Sequence, residues 1–419
     1  MSITYKIKGG KSLHGSVSVK GSPLAAVGSM AAGLLTTDKV TLTNVPHLFD
    51  LDVLIEELRQ LGVMADWTHP HEMTLLASLV NPELKISESN LIGWSPVLLG
   101  ALVIRSNRLE MEATEIDMLD DRLATTVSLL KQFGGTAEWY EGKLQLSLHH
   151  IHGAEIFLDR SSAEQTLLAV LFAATANGET IIEGAVIDPE IEDVFACLSS
   201  MGAVIDRQDD ARLRIVGSTQ LHGTTHNLIP DRYEAGLFAA LAIISDGDIL
   251  IKDIKPAIMM SFLSKVQQLG ASYQVGSDGI RFWVDHVGAF RPIDLTVKPY
   301  PGIGKDWLAL FLPILCQADG ESVLETDSPE ELSGALRLLQ GLGGEVHLHY
   351  GLARVFGPSK LVASRIEADG FITAMTGLIA AIGSNGVTEL SGVDGIDGRF
   401  ETLPERLVKL GAKIERIEN

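Results

Sequence analysis

Cysteine is what this chain has least of, with two in 419 residues. Both lie inside apolar runs, Cys197 in "VFACLSSMG" and Cys316 in "FLPILCQADG". They read as buried thiols of a reducing compartment, which excludes a disulfide framework and a cysteine-based metal site. Positive charge is also scarce: 33 Lys and Arg stand against 54 Asp and Glu, a formal net charge of −21. Nucleic acid and anionic membrane both require a basic face, so neither is an expected partner. No apolar run reaches the length of a membrane span, and "MSITYKIKGGKSLHG" has no apolar signal region. The expectation is a cytoplasmic protein. His69, His71, His149, His150 and His152 lack acidic or thiol partners at ligand spacing. They read as solvated strand-edge residues, so neither metal nor cofactor is expected.

What the chain does have is a globular composition, 46% hydrophobic with 41 Gly, and length for two or three domains. Its strongest signal is internal repetition. Six amphipathic helical segments, among them "LDVLIEELRQLGV", "IEDVFACLSSMGA" and "LPERLVKLGAK", end at Gly62, Gly134, Gly202, Gly270, Gly343 and Gly411. Glycine at that position predicts a left-handed helix cap. A strand-like run precedes each of these helices, and a nearly all-apolar helix such as "QTLLAVLFAATANG" precedes each strand. The repeat is therefore strand, buried helix, strand, amphipathic helix, more strand. Six copies group as three and three about "HNLIPDRYEAG", where Pro230 and charge break the pattern. All-apolar helices need partners on every side, so three should cluster about one axis in each half. The amphipathic helices are then expected outside, with sheets between. A cleft between two such halves is the default place for a small molecule.

The stretch "SVKGSPLAAVGSM" raises a local question. A glycine turn opening a helix can hold an anion on unpaired backbone N–H groups. Alternatively, Gly21 only makes the turn and Pro23 starts the helix.

With "GSVSVKG", "TLTNVPHLFDLDVLIEELRQLG", "IIEGAVIDPEIEDVFACLSSMGA", "LIPDRYEAGLFAALAI" and "GIDGRFETLPERLVKLGAKIERI", the chain resembles the enolpyruvyl transferases over essentially its whole length. It is most similar to the branch that acts on UDP-N-acetylglucosamine at the start of peptidoglycan synthesis, and less similar to the shikimate-pathway branch. The resemblance implies an α/β fold of two inverse α/β domains, each of three βαβαββ-type repeats around a pseudo-threefold axis, with an interdomain cleft. Residues 22–229 would form the first domain, and residues 1–21 with 230–419 the second.

The resemblance also assigns site residues. Arg160, Ser161, Ser162 and Ala163 occupy the segment that contacts the sugar nucleotide. Asp306 matches the general base, and Asp117 falls near the slot of the mobile-loop cysteine that acts as general acid, where some members carry Asp. Asp231, Arg232 and Glu234 match a signature that reads as structural. The family's opening-turn Lys and Asn slots hold Pro23 and Leu24 here, and its arginines fall on Gly93, Asp121, Glu330 to Leu332, and Phe371. Lys20, Arg122, Lys305 and Arg399 stand close to vacated slots and are the available substitutes. Plainer roles exist beside these: Ser161 or Ser162 as a helix N-cap, and Asp306 as a cap or dipole partner.

Three functions stay open. The chain is an active transferase with a rearranged anion shell, a silent relative that binds a UDP-sugar or a protein, or an enzyme for a less anionic substrate.

Overall fold

The structure, a computed structural model, describes residues 3–78, 80, 96–112, 121–159, 162–218, 220–285 and 290–418. The chain divides into two compact units, a first unit of residues 21–229 and a second of residues 1–20 with 230–419.

In chain order the helices of the first unit are α1 (Pro23–Leu34), α2 (Phe49–Gln60), α3 (Pro96–Ser106), α4 (Asp121–Gln132), α5 (Ala163–Thr175) and α6 (Pro189–Ser200). The second unit carries α7 (Arg232–Ile244), α8 (Met260–Leu269), α9 (Lys305–Leu315), α10 (Pro329–Gly341) and α11 (Phe371–Gly383). A single turn, α12 (Asp394–Asp397), and α13 (Leu403–Lys409) complete it. Helices of two kinds alternate because the sequence alternates two patterns. In α5 every residue from Thr166 to Ala174 is buried, whereas α2 buries only Leu51, Leu54, Ile55 and Leu58 at helical spacing.

The buried helices α1, α3 and α5 pack on one another, and so do α7, α9 and α11. The expected placement of the amphipathic helices is corrected. No sheet separates α4, α6 and α10 from the buried ones: α6 packs directly on α1, α4 on α3 and α5, and α10 on α11. The sheets are the outer layer instead. Their strands alternate between buried and solvent-facing residues, as in Ile3–Gly9 and Glu72–Leu76, so each offers the helices one apolar face only.

Among the described residues there are six sheets, five of four strands and one of three. A parallel pair at one edge recurs in the four-stranded ones. In the first unit Thr225–Asn227, late in that unit's sequence, runs parallel to Val40–Thr43, near its start. In the second unit Ile3–Gly9 lies between Gly386–Ser391 and Lys413–Glu418, antiparallel to both, with Tyr5 opposite Leu390 and Arg416. The buried Tyr5 hydroxyl donates to Asp397, a carboxylate also held by Arg416.

All six punctuating glycines have positive φ, from 87° at Gly62 to 107° at Gly202, the conformation that a residue with a Cβ resists. Gly21 works differently. It is not among the positive-φ glycines; a Cβ there would sit 2.2 Å from the Asn44 carbonyl oxygen, to which the Gly21 N–H donates at 3.0 Å. Close approach of two backbones, not a left-handed turn, requires glycine. Among the described residues no helix is long and apolar enough to cross a membrane.

Candidate functional site

Each buried helix presents the same question at its start, because its first N–H groups have no partner within the helix. Ser22 Oγ accepts from Ala25 N at 3.4 Å, and Pro23 fills the first helical position of α1. The opening turn is thus closed by its own serine. Ser162 does the same for α5, its Oγ accepting from Gln165 N at 3.1 Å. The N-cap role foreseen for this serine is present. Ala163 follows as the first residue of α5, half-buried against the first unit's core.

In the second unit the starts of α7, α9 and α11 carry aromatic residues and cations. Asp231 caps α7, accepting from Tyr233 N at 2.8 Å. Burial pushes its carboxyl above the usual range, and the nearby Arg399 guanidinium opposes that. Arg399 Cζ lies 5.6 Å from the Tyr233 ring and 5.4 Å from the Phe371 ring, within reach of a cation–π interaction. Its buried Nε has no acceptor among the described residues. Phe371, where the resemblance expects arginine, is the first residue of α11 and offers Arg399 a ring face. Arg232 Cζ stands 4.8 Å from the Tyr300 ring and 5.5 Å from the Trp307 ring, and Tyr233 and Trp307 lie 5.7 Å apart.

Helices α9 and α11 begin on Gly304 and Gly370, with no side-chain cap. Asp306, the second residue of α9, is half-buried and makes no hydrogen bond among the described residues, so capping is not its role. Lys305 beside it is committed elsewhere: its Nζ lies 3.0 Å from Glu331 Oε1, and that carboxylate holds the ammonium above its usual range. Glu331 occupies the stretch where an arginine was expected, so this slot consumes a cation instead of supplying one. Lys20 holds α7 through its backbone: its N–H donates to Glu234 Oε2 at 2.9 Å, and its carbonyl accepts from Asp231 N at 2.7 Å. Its ammonium has no ion pair among the described residues. Asp117, Gly93, Arg160 and Ser161 lie outside the described residues, as does the side chain of Arg122 in the first turn of α4. Both cysteines are buried, which pushes each thiol up to about 12 and leaves neither as an acid or nucleophile near neutrality.

A cavity of about 460 Å³ lies within the first unit between α4 and the start of α5. Its polar lining includes Thr125, Ser128, Gln132, Asp159, Ser162 and Gln165. Of these only Ser162 was singled out from sequence. Gln165 gave no signal there.

Comparison with known proteins defines the class. The family pattern of EPSP synthase (3-phosphoshikimate 1-carboxyvinyltransferase) matches residues 7–407, and the chain belongs to this family of enolpyruvyl transferases. Within it, the chain is 33% identical over 425 residues to the UDP-N-acetylglucosamine 1-carboxyvinyltransferase of Zymomonas mobilis subsp. mobilis, covering 98% of this chain and 99% of that one. It is 30% identical to UDP-N-acetylglucosamine 1-carboxyvinyltransferase 2 of Listeria innocua, covering 98% and 97%. Among solved structures, the enolpyruvyl transferase NikO from Streptomyces tendae superposes with a TM-score of 0.86 at 22% identity over 99% of both chains. EPSP synthase from Acinetobacter baumannii gives 0.79 at 17% identity, over 99% of this chain and 100% of that one. These likenesses establish the enolpyruvyl transferase fold.

Proposed function

We propose that this chain binds a UDP-sugar, the substrate class named for its relatives, and does not transfer an enolpyruvyl group to it from phosphoenolpyruvate. The observation that carries the reading is the closed opening turn, where Pro23 and Leu24 replace the expected Lys and Asn and Ser22 takes the Ala25 N–H. Phosphoenolpyruvate brings a phosphate and a carboxylate. Each charge-assisted hydrogen bond to such a ligand contributes about 1.5–3 kcal/mol. Losing four of them weakens binding by several powers of ten. The engagement of Lys305 by Glu331 works in the same direction.

A second reading, transfer with a rearranged anion shell, is favoured by Asp306 and by the Nε of Arg399, which has no acceptor among the described residues. There Asp306 is the base at the acceptor hydroxyl and Arg399 holds an anionic group. Two measurements decide. Calorimetry with phosphoenolpyruvate, with and without UDP-N-acetylglucosamine, is expected to give no binding heat, and a phosphate-release assay no turnover. A thermal upshift with UDP-N-acetylglucosamine alone is expected, since a ligand selective for the folded state raises its stability. Micromolar phosphoenolpyruvate binding with turnover selects the second reading.

A further inference from the structure

One sheet departs from a pattern that four others keep. In those four an acid pairs with a base on the antiparallel neighbour: Asp248 with Arg281, Glu321 with Arg354, Glu179 with Arg214 and Glu110 with Lys143. Each acid stands two residues before the register partner of its base, the partners being Leu250, Val323, Ile181 and Glu112. In the sheet built on Ile3–Gly9 the base is Lys6, and its register partner is Glu389. Two residues before Glu389 stands Val387, 47% exposed, in the place of the acid. Opposite the four acids lie Trp283, Phe356, Val216 and Gln145, none of them charged; opposite Val387 lies Lys8.

The departure gathers cations. Lys8 also faces Lys413 on the edge strand Lys413–Glu418, and like charges directly opposite one another destabilise a ladder. Lys11 follows in the turn after Gly9, and all three lysines are exposed. None of them enters an ion pair among the described residues. The carboxylates of the next row are engaged elsewhere: Glu389 is held by Arg365 at 2.6 Å, and Glu415 stands opposite Lys6. Asp248, level with His14 in another sheet, is taken by Arg281. An edge lysine discourages unwanted strand pairing, which accounts for Lys413 but not for Lys8 on an inner strand. A chain with a net charge of −21 thus holds three unpaired cations together, two of them in mutual repulsion.

We propose that this face docks an acidic, extended segment of another protein, whose carboxylates meet Lys8, Lys413 and Lys11 and whose apolar side chain covers Val387. The inference is independent of the reading of the chain as a UDP-sugar binder. Charge complementarity selects the partner, since only negative charge relieves the Lys8–Lys413 contact. The row from Val387 through Lys8 to Lys413 crosses two strand spacings, about 10 Å. That length suits several residues of a peptide better than one small anion, and Val387 gives a phosphate nothing to bind.

The test is calorimetry on the full chain with a short peptide of alternating glutamate and leucine, beside thermal unfolding. Wild type is expected to bind this peptide and not its glutamine counterpart. Lys8→Glu turns the repulsion with Lys413 into an attraction, so its Tm should rise while peptide affinity falls roughly tenfold. Lys413→Glu should do the same. A merely structural role for Lys8 cannot produce both changes. No binding by wild type, equal binding of the glutamine peptide, or unchanged affinity in Lys8→Glu overturns the proposal. A Tm that falls in Lys8→Glu also overturns it, because the two lysines then do not oppose each other. Tripolyphosphate binding as tightly as the peptide would make the site one for phosphate and overturn the assignment to a protein. Sedimentation of the chain alone should show no association that Lys8→Glu abolishes; if it does, the occupant is a second copy and the proposal fails.

Discussion

Two buried helices of the first unit, α1 and α5, begin on hydroxyls, and those of the second begin on charge or on nothing. Ser22 and Ser162 satisfy the starts of α1 and α5. In the second unit α7 is capped by the carboxylate of Asp231, while α9 and α11 start at glycines with no side-chain cap. Unmet N–H groups at a helix start carry partial positive charge. Among the described starts, those without a side-chain cap therefore lie in the second unit, at α9 and α11, while α1 and α5 are capped. The first unit offers instead a cavity with acceptors. One fold, written twice, carries different polar groups at these described helix starts.

The comparison is broken most severely at Glu234, in the first turn of α7. Its carboxylate is 3% exposed in side chain and pairs with Arg406, itself 12% exposed, while also accepting the Lys20 N–H. Arg406 reaches onward to the Ser18 carbonyl at 2.7 Å. Removing one partner of a buried pair leaves the other charge uncompensated, which typically costs about 3–5 kcal/mol. Glu234→Ala is expected to lower unfolding free energy in urea by about that amount. A loss near the size of a serine cap would mean that Arg406 finds water, and that charge at these helix starts is no more structural than a hydroxyl.

How far the sequence could be read depended on the range of the cause. The six glycines were legible because a left-handed helix end is a local demand, and all six show it. The repeated fold followed from the apolar helices, which admit few arrangements. The order of layers was not legible, since the apolar stripe of α2 or α6 does not state whether a sheet or a helix covers it. At the site, Ser162 was legible as a cap because its partner is three residues away. The diversion of Lys305 was not, because Glu331 lies 26 residues on and only the packing of the second unit brings them together. Arg399, Tyr233 and Phe371 meet for the same reason, from three distant segments. Gly21 misled because proximity to Asn44 leaves no mark in the local sequence.

The first unit's side of the comparison is sharpened by removing its hydroxyls. Ser22→Ala and Ser162→Ala each take away a side-chain acceptor at a helix start, a loss of about 0.5–2 kcal/mol in comparable helices. Ser162→Ala is expected to cost more than Ser22→Ala, because its bond is shorter and Pro23 already sets the first turn of α1. Urea midpoints of the two variants check the order. The reverse order would mean that the opening turn is held more by its serine than by its proline.

A pH series separates the charged cap from the neutral ones. Burial raises the Asp231 carboxyl above its unfolded value, so the folded chain binds this proton more readily than the unfolded one. The contribution of Asp231 to stability is complete below the unfolded carboxylate range and is lost as pH rises through the raised folded value. In Asp231→Asn, which can still cap, that dependence should vanish. The difference in unfolding free energy between wild type and variant should therefore shift in favour of wild type on acidification through this window. A difference that stays flat with pH would show that Arg399 cancels the effect of burial. Ser22→Ala and Ser162→Ala should show no such shift, since neither serine titrates.

The smallest effect comes from giving the second unit what the first already has. Gly304 has φ −70° and ψ 155°, the extended conformation of an ordinary N-cap, so serine fits there without backbone strain. A Cβ would meet the Tyr233 hydroxyl at 3.4 Å, an ordinary contact. The new hydroxyl can accept from the N–H of Asp306, since that of Trp307 already donates to the Gly304 carbonyl at 3.1 Å. Since serine exceeds glycine as a cap by only a few tenths of a kcal/mol, Gly304→Ser should stabilise by about that amount in urea. The same hydroxyl covers the positive end of α9. Affinity for inorganic phosphate, measured by calorimetry, should fall in the variant if that N–H group is what holds an anion in the second unit. Stability that rises while phosphate affinity stays unchanged would place the anion at Arg399 and not at the helix end. Stability that falls would mean the cap has no room beside Tyr233, and that the bare start of α9 is dictated by packing.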